Sequence, residues 1–441
     1  MPDVRYDVVN VVLRAALASL TLLAANPASA APSTHGVTGE LTVETSAPRF
    51  GVGVRLQDVL QHAREHAPEM NRSLARVSLG TARIEGAKPL LPENPVLVTG
   101  LGSRWSPLGT SFEAQVQVSQ AFEIAGERRL RLEAGRAAER ARRADVDEVW
   151  WETEVAIRAA FAHAVVAREA AEAQASAVAF AERVMKALEL EVAAGDLAPL
   201  NLRIAETDVA DARQQSLQLE LEYRNACVRL ATLAGWPQGR LIEPLGELPR
   251  AKDVPRVDLS RLVQDHPAVV SAEADIDAAE SRVDAANRDA WPHPSLGGYF
   301  ARELEPGAPY PSRVGLVTLS IPIPLWRRNQ EERADARADL SVSKADASAL
   351  KYELAQQVQA RMNAVRTAAQ RVTTYSEEML PRFSENLRML ERAFELGEVE
   401  LFQVFVAQQR FLAQQRRALE IYAEYVEAVR AFELVAGRPL Q

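Results

Sequence analysis

Two histidines four residues apart come closest, among the residues of this chain, to a known catalytic pattern. His62 and His66 lie in the segment HAREH, which matches the H-x-x-E-H pattern of one class of zinc metalloprotease. On a helix both imidazoles would lie on one face, where they could bind zinc. Pro68 ends that helix two residues later, and no downstream acidic motif supplies a third ligand. We therefore favour a solvated helix, with the metalloprotease as an alternative.

The remaining reactive side chains show no arrangement typical of catalysis. The other histidines, His35, His163, His266 and His293, are scattered along the chain. The sequence contains neither a glycine-rich phosphate loop nor a Gly-x-Ser-x-Gly motif. Its single cysteine, Cys227, excludes an internal disulfide, and its helical surroundings favour a buried, inert thiol. We therefore expect no enzymatic activity, no cofactor and no resident metal.

The start of the chain has the features of an export signal. Arg5 and Arg14 accompany an apolar run from Ala15 to Ala25, and Ala28-Ser29-Ala30 has the small-x-small form of a cleavage site. Residues 1–30 therefore predict a cleaved signal peptide, and an N-terminal anchor helix is the alternative.

Composition narrows the function classes further. Residues 31–54, rich in Thr, Ser, Pro and Gly, predict a flexible N-terminal arm. The net charge of −9 argues against a nucleic-acid partner, because phosphate-binding domains are normally basic. No later stretch approaches about 18 consecutive apolar residues, so the sequence predicts no membrane-spanning helix.

The segment from Arg313 to Ala334 joins a strand to a helix through a proline-rich elbow. Val314–Ile321 is rich in β-branched and small residues, as strands are. Pro322 and Pro324 remove two backbone donors at alternate positions and keep the preceding residues out of the helical conformation. The chain must therefore leave the strand extended. A strand that crosses a membrane and continues as a long helix outside it requires such a join.

The helix after this elbow is predicted to be long. Asn329 and Glu332 have the spacing of a capping box at its start. The helical run then continues without glycine to Leu396, and Pro381 predicts a kink near its far end.

Two halves of the chain resemble each other. The segment from Ala193 to Pro237 aligns without gaps with the segment from Glu395 to Pro439, pairing two glycines, a tyrosine and a proline. We therefore divide the mature chain into a first structural repeat, 55–237, a connector, 238–258, and a second structural repeat, 259–441. Each repeat predicts the same order of short helix, helix, strand, loop, strand, long helix, turn and helix.

Four segments predict strands of about the 9–11 residues that a tilted membrane strand needs. The clearest is Ser111–Gln120, where Phe112, Ala114, Val116 and Val118 alternate with Glu113, Gln115, Gln117 and Ser119. The others are Pro95–Ser103, Ser295–Leu304 and Arg313–Ile321. Trp105 and Tyr310 lie in or beside the loops, where an aromatic belt would lie. A half-buried strand of a soluble protein alternates in the same way, so this alternative stays open.

The helices are too long for an ordinary globular domain. Glu127–Glu191 contains no proline and one glycine, and at 1.5 Å per residue it would be about 100 Å long. Leu200–Ala234 carries apolar and small residues at alternating steps of three and four, which is a coiled-coil seam. The second repeat carries the same seam. The helices near 71–89 and 268–290, each added to the final helix of its half, come close to the length of the long helix. We therefore expect two helices to line one.

Four strands cannot close a barrel alone, because a small closed barrel needs about eight. An open edge is not tolerated in lipid, where unpaired backbone groups are costly. The chain must therefore combine its strands with those of other copies, and three copies of four strands make twelve.

This arrangement resembles the TolC-type outer-membrane factor family, whose members are exit ducts of tripartite efflux pumps and type I secretion systems. The segment SIPIPLWRRNQ, Ser320–Gln330, resembles the S-x-P-L-P-L-F-x-R-N-Q-G motif of its cation-efflux, CzcC-like branch. Trp326 occupies the aromatic position, and Glu331 replaces the usual glycine. SQAFEIAGERR, Ser119–Arg129, resembles the matching join of the first half.

The resemblance implies a mainly α fold with a small β part. Long antiparallel helical hairpins would form a periplasmic α-barrel, and four strands per chain would contribute to a trimeric 12-stranded outer-membrane β-barrel. The implied partners are two further copies of the chain, a periplasmic membrane-fusion (adaptor) protein, an inner-membrane RND transporter and outer-membrane lipid. The residues of the strand-to-helix elbow are Pro322, Pro324, Trp326 and Asn329.

The resemblance also places the periplasmic tips at the turns after the long helices. There the aperture narrows and the adaptor docks, which singles out Gly195, Asp196, Gly397, Glu398, Glu400 and Gln403. Some relatives carry gating aspartates where this chain has Gln403 and Val406. The alternative for each acid is a solvated carboxylate favoured by the dipole at a helix start.

The expected function is therefore an outer-membrane exit duct that exports divalent heavy-metal cations of the cobalt/zinc/cadmium or copper type. Multidrug efflux and type I secretion are the alternatives within the family. A periplasmic coiled-coil scaffold is the alternative from another class, but it leaves the alternating strands and the elbow unexplained.

Overall fold

The computed structural model describes residues 51–107, 109–195, 198–248, 250–251, 258–304, 310–396, 398–399 and 401–440. The predicted signal peptide and nearly all of the predicted arm lie outside these residues. Within them, no helix combines the length and apolarity needed to cross a membrane.

The first half contains a strand and two helices, then two strands, then a helical hairpin. These elements are β1 (Val52–Val54), α1 (Leu56–His66), α2 (Pro68–Ala87), β2 (Val96–Ser106), β3 (Gly109–Ala121), α3 (Glu127–Ala194) and α4 (Pro199–Ala234). Proline at the first position of α2 and of α4 costs no hydrogen bond, because that position has no intrahelical acceptor for its N–H.

The second half repeats this order after a short connector strand. Its elements are β4 (Ile242–Pro244), α5 (Leu259–Gln264), α6 (Pro267–Arg288), β5 (Ser295–Glu303), β6 (Ser312–Ser320), α7 (Gln330–Thr373), α8 (Leu380–Glu395) and α9 (Leu401–Ala436). All four predicted strands of the two repeats therefore form, and each matches its predicted range to within about three residues at either end.

Two shorter helices pack against successive lengths of α3, as their combined length predicts. Near its start, α3 lies against α2 so closely that a Cβ on Gly80 would stand 2.7 Å from the Cα of Glu139. Farther along, Gln174 Nε2 donates to the carbonyl of Ala212 on α4, 3.1 Å away. In the second half, α6 and α9 pack against α7 in the same way.

The predicted seams of α4 and α9 are the packed faces of these helices. The seam positions of both helices are buried or half-buried: Leu202, Ala205, Val209, Ala212, Ser216, Leu219, Tyr223, Ala226, Leu230 and Leu233 on α4, and Val404, Ala407, Phe411, Gln414, Ala418, Ile421, Tyr425, Ala428, Phe432 and Val435 on α9. Two apolar cores form where the seams meet the short helices of each half. Their fully buried members include Val59, Ile157 and Leu230 in the first and Val269, Val358 and Val365 in the second.

One sheet collects the strands of both halves in the order β2-β3-β5-β6, and all its pairings are antiparallel. Its centre joins the halves, since Val116 of β3 lies opposite Phe300 of β5. A second, two-stranded sheet corrects the predicted arm. Val52–Val54 pair in parallel with the connector strand Ile242–Pro244. These short apolar strands are ordered because Val54 and Ile242 are buried in the first core.

Two details of α7 and the segment that follows it differ from the sequence prediction. Asn329 does not form a capping box: its φ of 56° is left-handed, and its side chain makes no cap hydrogen bond. Instead Asn329 Nδ2 donates to the carbonyl of Ala286 on α6. The interruption predicted at Pro381 is a π-helical segment, Thr374–Met379, just before the proline. The wider turn accommodates a ring that would otherwise collide with the carbonyl four residues earlier.

Candidate functional site

The sheet has one face on which most side chains are apolar and exposed; its charged members, Arg302 and Arg313, lie opposite each other on β5 and β6. Strand register places on this face Leu97, Leu101, Trp105, Phe112, Val116, Val118, Leu296, Phe300, Val317 and Leu319. Their exposure runs from 44% at Val116 to 82% at Val317. The predicted row of Phe112, Val116 and Val118 is thus part of a continuous apolar surface that nothing in the described chain covers. Leaving such a surface in water is costly.

The opposite face carries the polar and charged residues that pair with one another, together with the apolar Val98 and Leu316. Arg104 pairs with Glu113 on β3 and, at 3.6 Å, with Glu303 on β5. Tyr299 Oη donates to Gln115 Oε1 at 3.0 Å. Residues that lie directly opposite each other on antiparallel strands point to the same face of the sheet. These interactions therefore link β2, β3 and β5 on the face away from the apolar surface.

Both outer strands of the sheet have an open edge. Neither β2 nor β6 has a second partner strand among the described residues. Since three successive antiparallel pairings separate them, β6 runs antiparallel to β2. A β6 edge could therefore pair with the β2 edge of another copy in the same antiparallel manner as every pair within the sheet.

The two elbows that lead from strand to helix use the same backbone conformation. Gly126 precedes α3 with φ of 79°, and Asn329 precedes α7 with φ of 56°. Asparagine is the residue other than glycine that most often adopts this region. The sequence signal for this equivalence was present, because both residues stand directly before a long helix that follows a strand.

The second elbow is held by its own side chains. Arg328 Nε donates to the carbonyl of Pro324 at 2.9 Å, and Gln330 Nε2 donates to the carbonyl of Trp326 at 2.5 Å. Pro322, Pro324, Trp326 and Asn329, which the sequence singled out, thus lie in one compact turn. Trp326 is left exposed at its surface.

A half-buried ion cluster that the sequence did not reveal links the first elbow to α3 and to the end of α6. Arg131 on α3 pairs with Glu123 of the elbow and, at 3.3 Å, with Asp289 after α6. The backbone N–H of Arg128 donates to Glu123 Oε2 at 2.7 Å. The residues lie far apart in sequence, so no local pattern could have predicted their contact.

A second cluster that the sequence did not reveal lies between α3 and α6. Asp145 accepts a hydrogen bond from Ser271 Oγ at 2.8 Å and pairs with Arg142. Burial, together with the neighbouring Asp145, raises the pKa of Asp275 above its usual range. Burial also raises the pKa of Glu148, and nearby carboxylates add to this effect.

The predicted tip residues are only partly described. Gly195 ends α3 with a left-handed φ of 85°, and its N–H donates to the carbonyl of Val192 at 3.1 Å. The N–H of Glu398 donates to the carbonyl of Ala393 at 2.9 Å, and the side chains of Glu398 and Gln403 are exposed. Asp196, Gly397 and Glu400 lie outside the described residues.

The HAREH histidines are used in packing. The rings of His62 and His66 are stacked 4.3 Å apart, and His62 Nε2 lies 3.3 Å from the carbonyl of Gly235 at the end of α4. In the second half His266, at a different position of the repeat, also contacts the final helix, with Nε2 2.9 Å from the carbonyl of Leu434. No group of three or more metal-ligating side chains occurs within the described ranges. Cys227 is buried as predicted, and burial raises the pKa of its thiol.

Known proteins show the same fold along most of the chain. The structure matches the Campylobacter jejuni CmeC outer membrane channel with a TM-score of 0.69 at 14% identity, covering 88% of this chain and 86% of that one. It matches the outer membrane protein VceC from Vibrio cholerae with a TM-score of 0.64 at 15% identity, covering 88% and 97%. For CusC the TM-score is 0.62 at 16% identity, covering 93% and 99%.

Sequence comparison agrees with this fold. The chain is 20% identical over 323 residues to the cobalt-zinc-cadmium resistance protein CzcC of Cupriavidus metallidurans, covering 73% of this chain and 76% of the relative. The sequence family described as outer membrane efflux protein matches residues 59–236 and 258–438. These two segments make up most of the chain, which therefore belongs to the outer membrane efflux protein family and is not an enzyme.

Proposed function

We propose that this chain is the outer-membrane exit duct of a tripartite RND-type efflux system and works as a homotrimer. The observation that carries the proposal is the sheet, with one exposed apolar face, one polar face and two open edges. Lipid hydrocarbon is the solvent in which such an apolar face is stable, and the polar face would then line a water-filled lumen.

Closure of the sheet supports a trimer. Four strands are too few for a closed barrel, whereas three copies give twelve. Because β6 is antiparallel to β2, every junction between copies would be antiparallel, as membrane barrels require. The helices would then leave the membrane through the elbows and form a long periplasmic tunnel.

The far end of that tunnel is the proposed docking point for the adaptor. The turns after α3 and α8 would form the tip, where the residues Gly195, Asp196, Gly397, Glu398, Glu400 and Gln403 would surround the aperture. Carboxylates gathered there would attract cations. We expect Glu398→Gln with Glu400→Gln to lower the cation selectivity of single channels in a planar bilayer. Unchanged selectivity would show that these acids do not form the mouth.

Divalent heavy-metal cations are the proposed cargo, delivered by the inner-membrane pump. Support comes from the similarity to a protein named for cobalt, zinc and cadmium resistance, and from the CzcC-like elbow motif. Multidrug efflux and type I secretion remain the alternatives, because a duct carries what its pump supplies.

Deletion of the gene in its host tests this function. We expect the deletion to lower tolerance to cobalt, zinc, cadmium or copper salts and the wild-type gene to restore it, while tolerance to dyes and detergents is unchanged. The protein should also band with the outer membrane in a density gradient. Sensitivity to organic compounds alone would reassign the cargo, and recovery of the protein in the soluble periplasmic fraction would favour a scaffold.

A further inference from the structure

The apolar face of the sheet does not stop where β6 ends. Val317 and Leu319 are followed at alternate positions by Ile321, Ile323 and Leu325, and all five side chains are exposed. Ile323 is 75% exposed, and Trp326 directly after the row is 83% exposed. The second elbow, which leads from β6 to α7, therefore extends the apolar surface toward the helices although it is not part of a strand.

Other chain segments at the same junction are also apolar and exposed. Leu90, before β2, and Ile124, in the first elbow, are both exposed. Trp291, before β5, is exposed as well. The N–H of Phe122 donates to the carbonyl of Pro294 at 2.9 Å, which places the first elbow beside the entry to β5. Together with the row Ile321, Ile323 and Leu325 of the second elbow, these residues form an apolar belt at the end of the sheet nearest the helices.

An arginine that pairs with none of the described residues directly follows this apolar row in sequence. Arg327 is exposed and makes no ion pair or hydrogen bond with any described residue. Its neighbour Arg328 is engaged by the carbonyl of Pro324. Of the nearby acids, Asp289 is paired with Arg131, and Glu331 and Glu332 point from the exposed first turn of α7. The free guanidinium is therefore available for an anion from outside the chain.

A cleft of about 630 Å³ separates the elbow from the segment that enters β5. One wall is formed by residues 289–292, which include Trp291, and the other by residues 322–329, which include Ile323, Trp326 and Arg327. The cleft thus has aromatic and aliphatic walls, a cationic rim of Arg327 and Arg328, and one lining carboxylate, Asp289, which is paired with Arg131.

We propose that this cleft binds the headgroup of an anionic phospholipid from the leaflet nearest the helices. The phosphate pairs with the guanidinium of Arg327, because planar guanidinium groups bind phosphate oxygens in bidentate geometry. The indoles of Trp291 and Trp326 lie at the boundary between headgroups and hydrocarbon, where tryptophan is enriched. The acyl chains follow the row from Leu325 back to Val317. This site rests on the proposed membrane insertion of the sheet, and it adds a specific ligand to it.

Lipid retention tests the site. The full-length mature protein is reconstituted into vesicles with equal amounts of phosphatidylglycerol and phosphatidylcholine and extracted in mild detergent. The retained lipids are then counted by native mass spectrometry. We expect about fivefold more phosphatidylglycerol than phosphatidylcholine on the wild type, the preference that one basic residue near a membrane surface gives. Arg327→Gln should bring the ratio close to one. Arg337→Gln, which removes an exposed arginine farther along α7, should leave it unchanged.

Three results would overturn the inference: a wild type without preference, an Arg327→Gln variant that keeps it, or an Arg337→Gln variant that loses it equally. Flotation of the same samples separates this failure from failure of the proposed function. A protein that does not float with the vesicles contradicts membrane insertion itself. A protein that floats but shows no preference dependent on Arg327 contradicts the headgroup site alone.

Discussion

At the scale of single residues, the two faces of β3 should differ in how well they tolerate a charged side chain. Val116 lies on the exposed apolar face, and its neighbour Gln117 lies on the polar face. In a lipid-embedded sheet, Val116→Arg should cost about 2–4 kcal/mol at the bilayer midplane, whereas Gln117→Arg should cost much less. The yield of folded trimer in detergent measures this difference. Equal losses for the two variants would contradict the assignment of the faces.

Half-buried carboxylates between α3 and α6 give a prediction about pH. The pKa of Asp275 and that of Glu148 are raised in the folded state, mainly by burial. Their contribution to stability is therefore complete below the unfolded-state pKa of about 4 and is lost as the pH rises through the folded-state values. Because the loss starts near pH 4, the wild type should lose more in unfolding temperature between pH 4 and pH 8 than the variant Asp275→Asn does.

Asp277→Asn is the matched control for this prediction. Asp277 lies two residues away on α6 with an exposed side chain. Its replacement should leave the loss of unfolding temperature between pH 4 and pH 8 as large as in the wild type. If both variants behave like the wild type, Asp275 does not contribute to the pH dependence.

At the scale of elements, the elbow depends on one left-handed residue. Asn329 combines a φ of 56° with a hydrogen bond to the carbonyl of Ala286. Asn329→Gly removes the hydrogen bond, but glycine adopts the left-handed backbone conformation without strain. Asn329→Ala removes the hydrogen bond as well, and alanine is strained in that conformation. The alanine variant should therefore be less stable than the glycine variant by about 1–2 kcal/mol. Thermal unfolding of the two variants measures this difference. Equal stability would show that the backbone at this position is not strained by a side chain.

Close packing of α2 on α3 gives a second test at this scale. A Cβ on Gly80 would lie 2.7 Å from the Cα of Glu139, while a Cβ on Gly86 of the same helix would meet nothing within 4 Å. Gly80→Ala should therefore destabilise the protein by about 1–3 kcal/mol, because backbone must move to admit the methyl group. Gly86→Ala should be neutral or stabilising, since alanine is the better helix former. Chemical denaturation that gives both variants the same sign would contradict the packing.

The sequence predicted the features that depend on residues close together in the chain and missed those that depend on contacts between distant residues. Alternation along Ser111–Gln120 and the seam from Leu202 to Leu233 are local patterns, and they predicted β3 and α4 closely. The pairing of β1 with β4 was missed because three-residue strands carry no periodicity. The contact of Arg131 with Asp289 was missed because it joins the two halves. At Asn329, the spacing to Glu332 suggested a cap, whereas the tertiary contact with Ala286 determined the backbone conformation.

At the scale of the whole molecule, the described chain has two unmatched features, an uncovered apolar face and a sheet with two open edges. Lipid can cover the face, but only backbone groups of another strand can satisfy the edges. The proposed assembly of three copies in lipid would account for both features, the lipid covering the face and the neighbouring copies satisfying the edges. The central claim is therefore that β6 of one copy pairs with β2 of the next.

Engineered disulfides between copies test this claim most directly. In a Cys227→Ser background, Val98→Cys on β2 is combined in turn with Val314→Cys, Leu316→Cys and Thr318→Cys on β6, all on the polar face. After oxidation in native membranes, denaturing gels without reductant show which copies are linked. The account predicts that at least one pair gives a band at three times the monomer mass, none larger, and no such band for the single-cysteine variants. Folded protein that remains monomeric with all three pairs, or that forms ladders beyond the trimer, would contradict it.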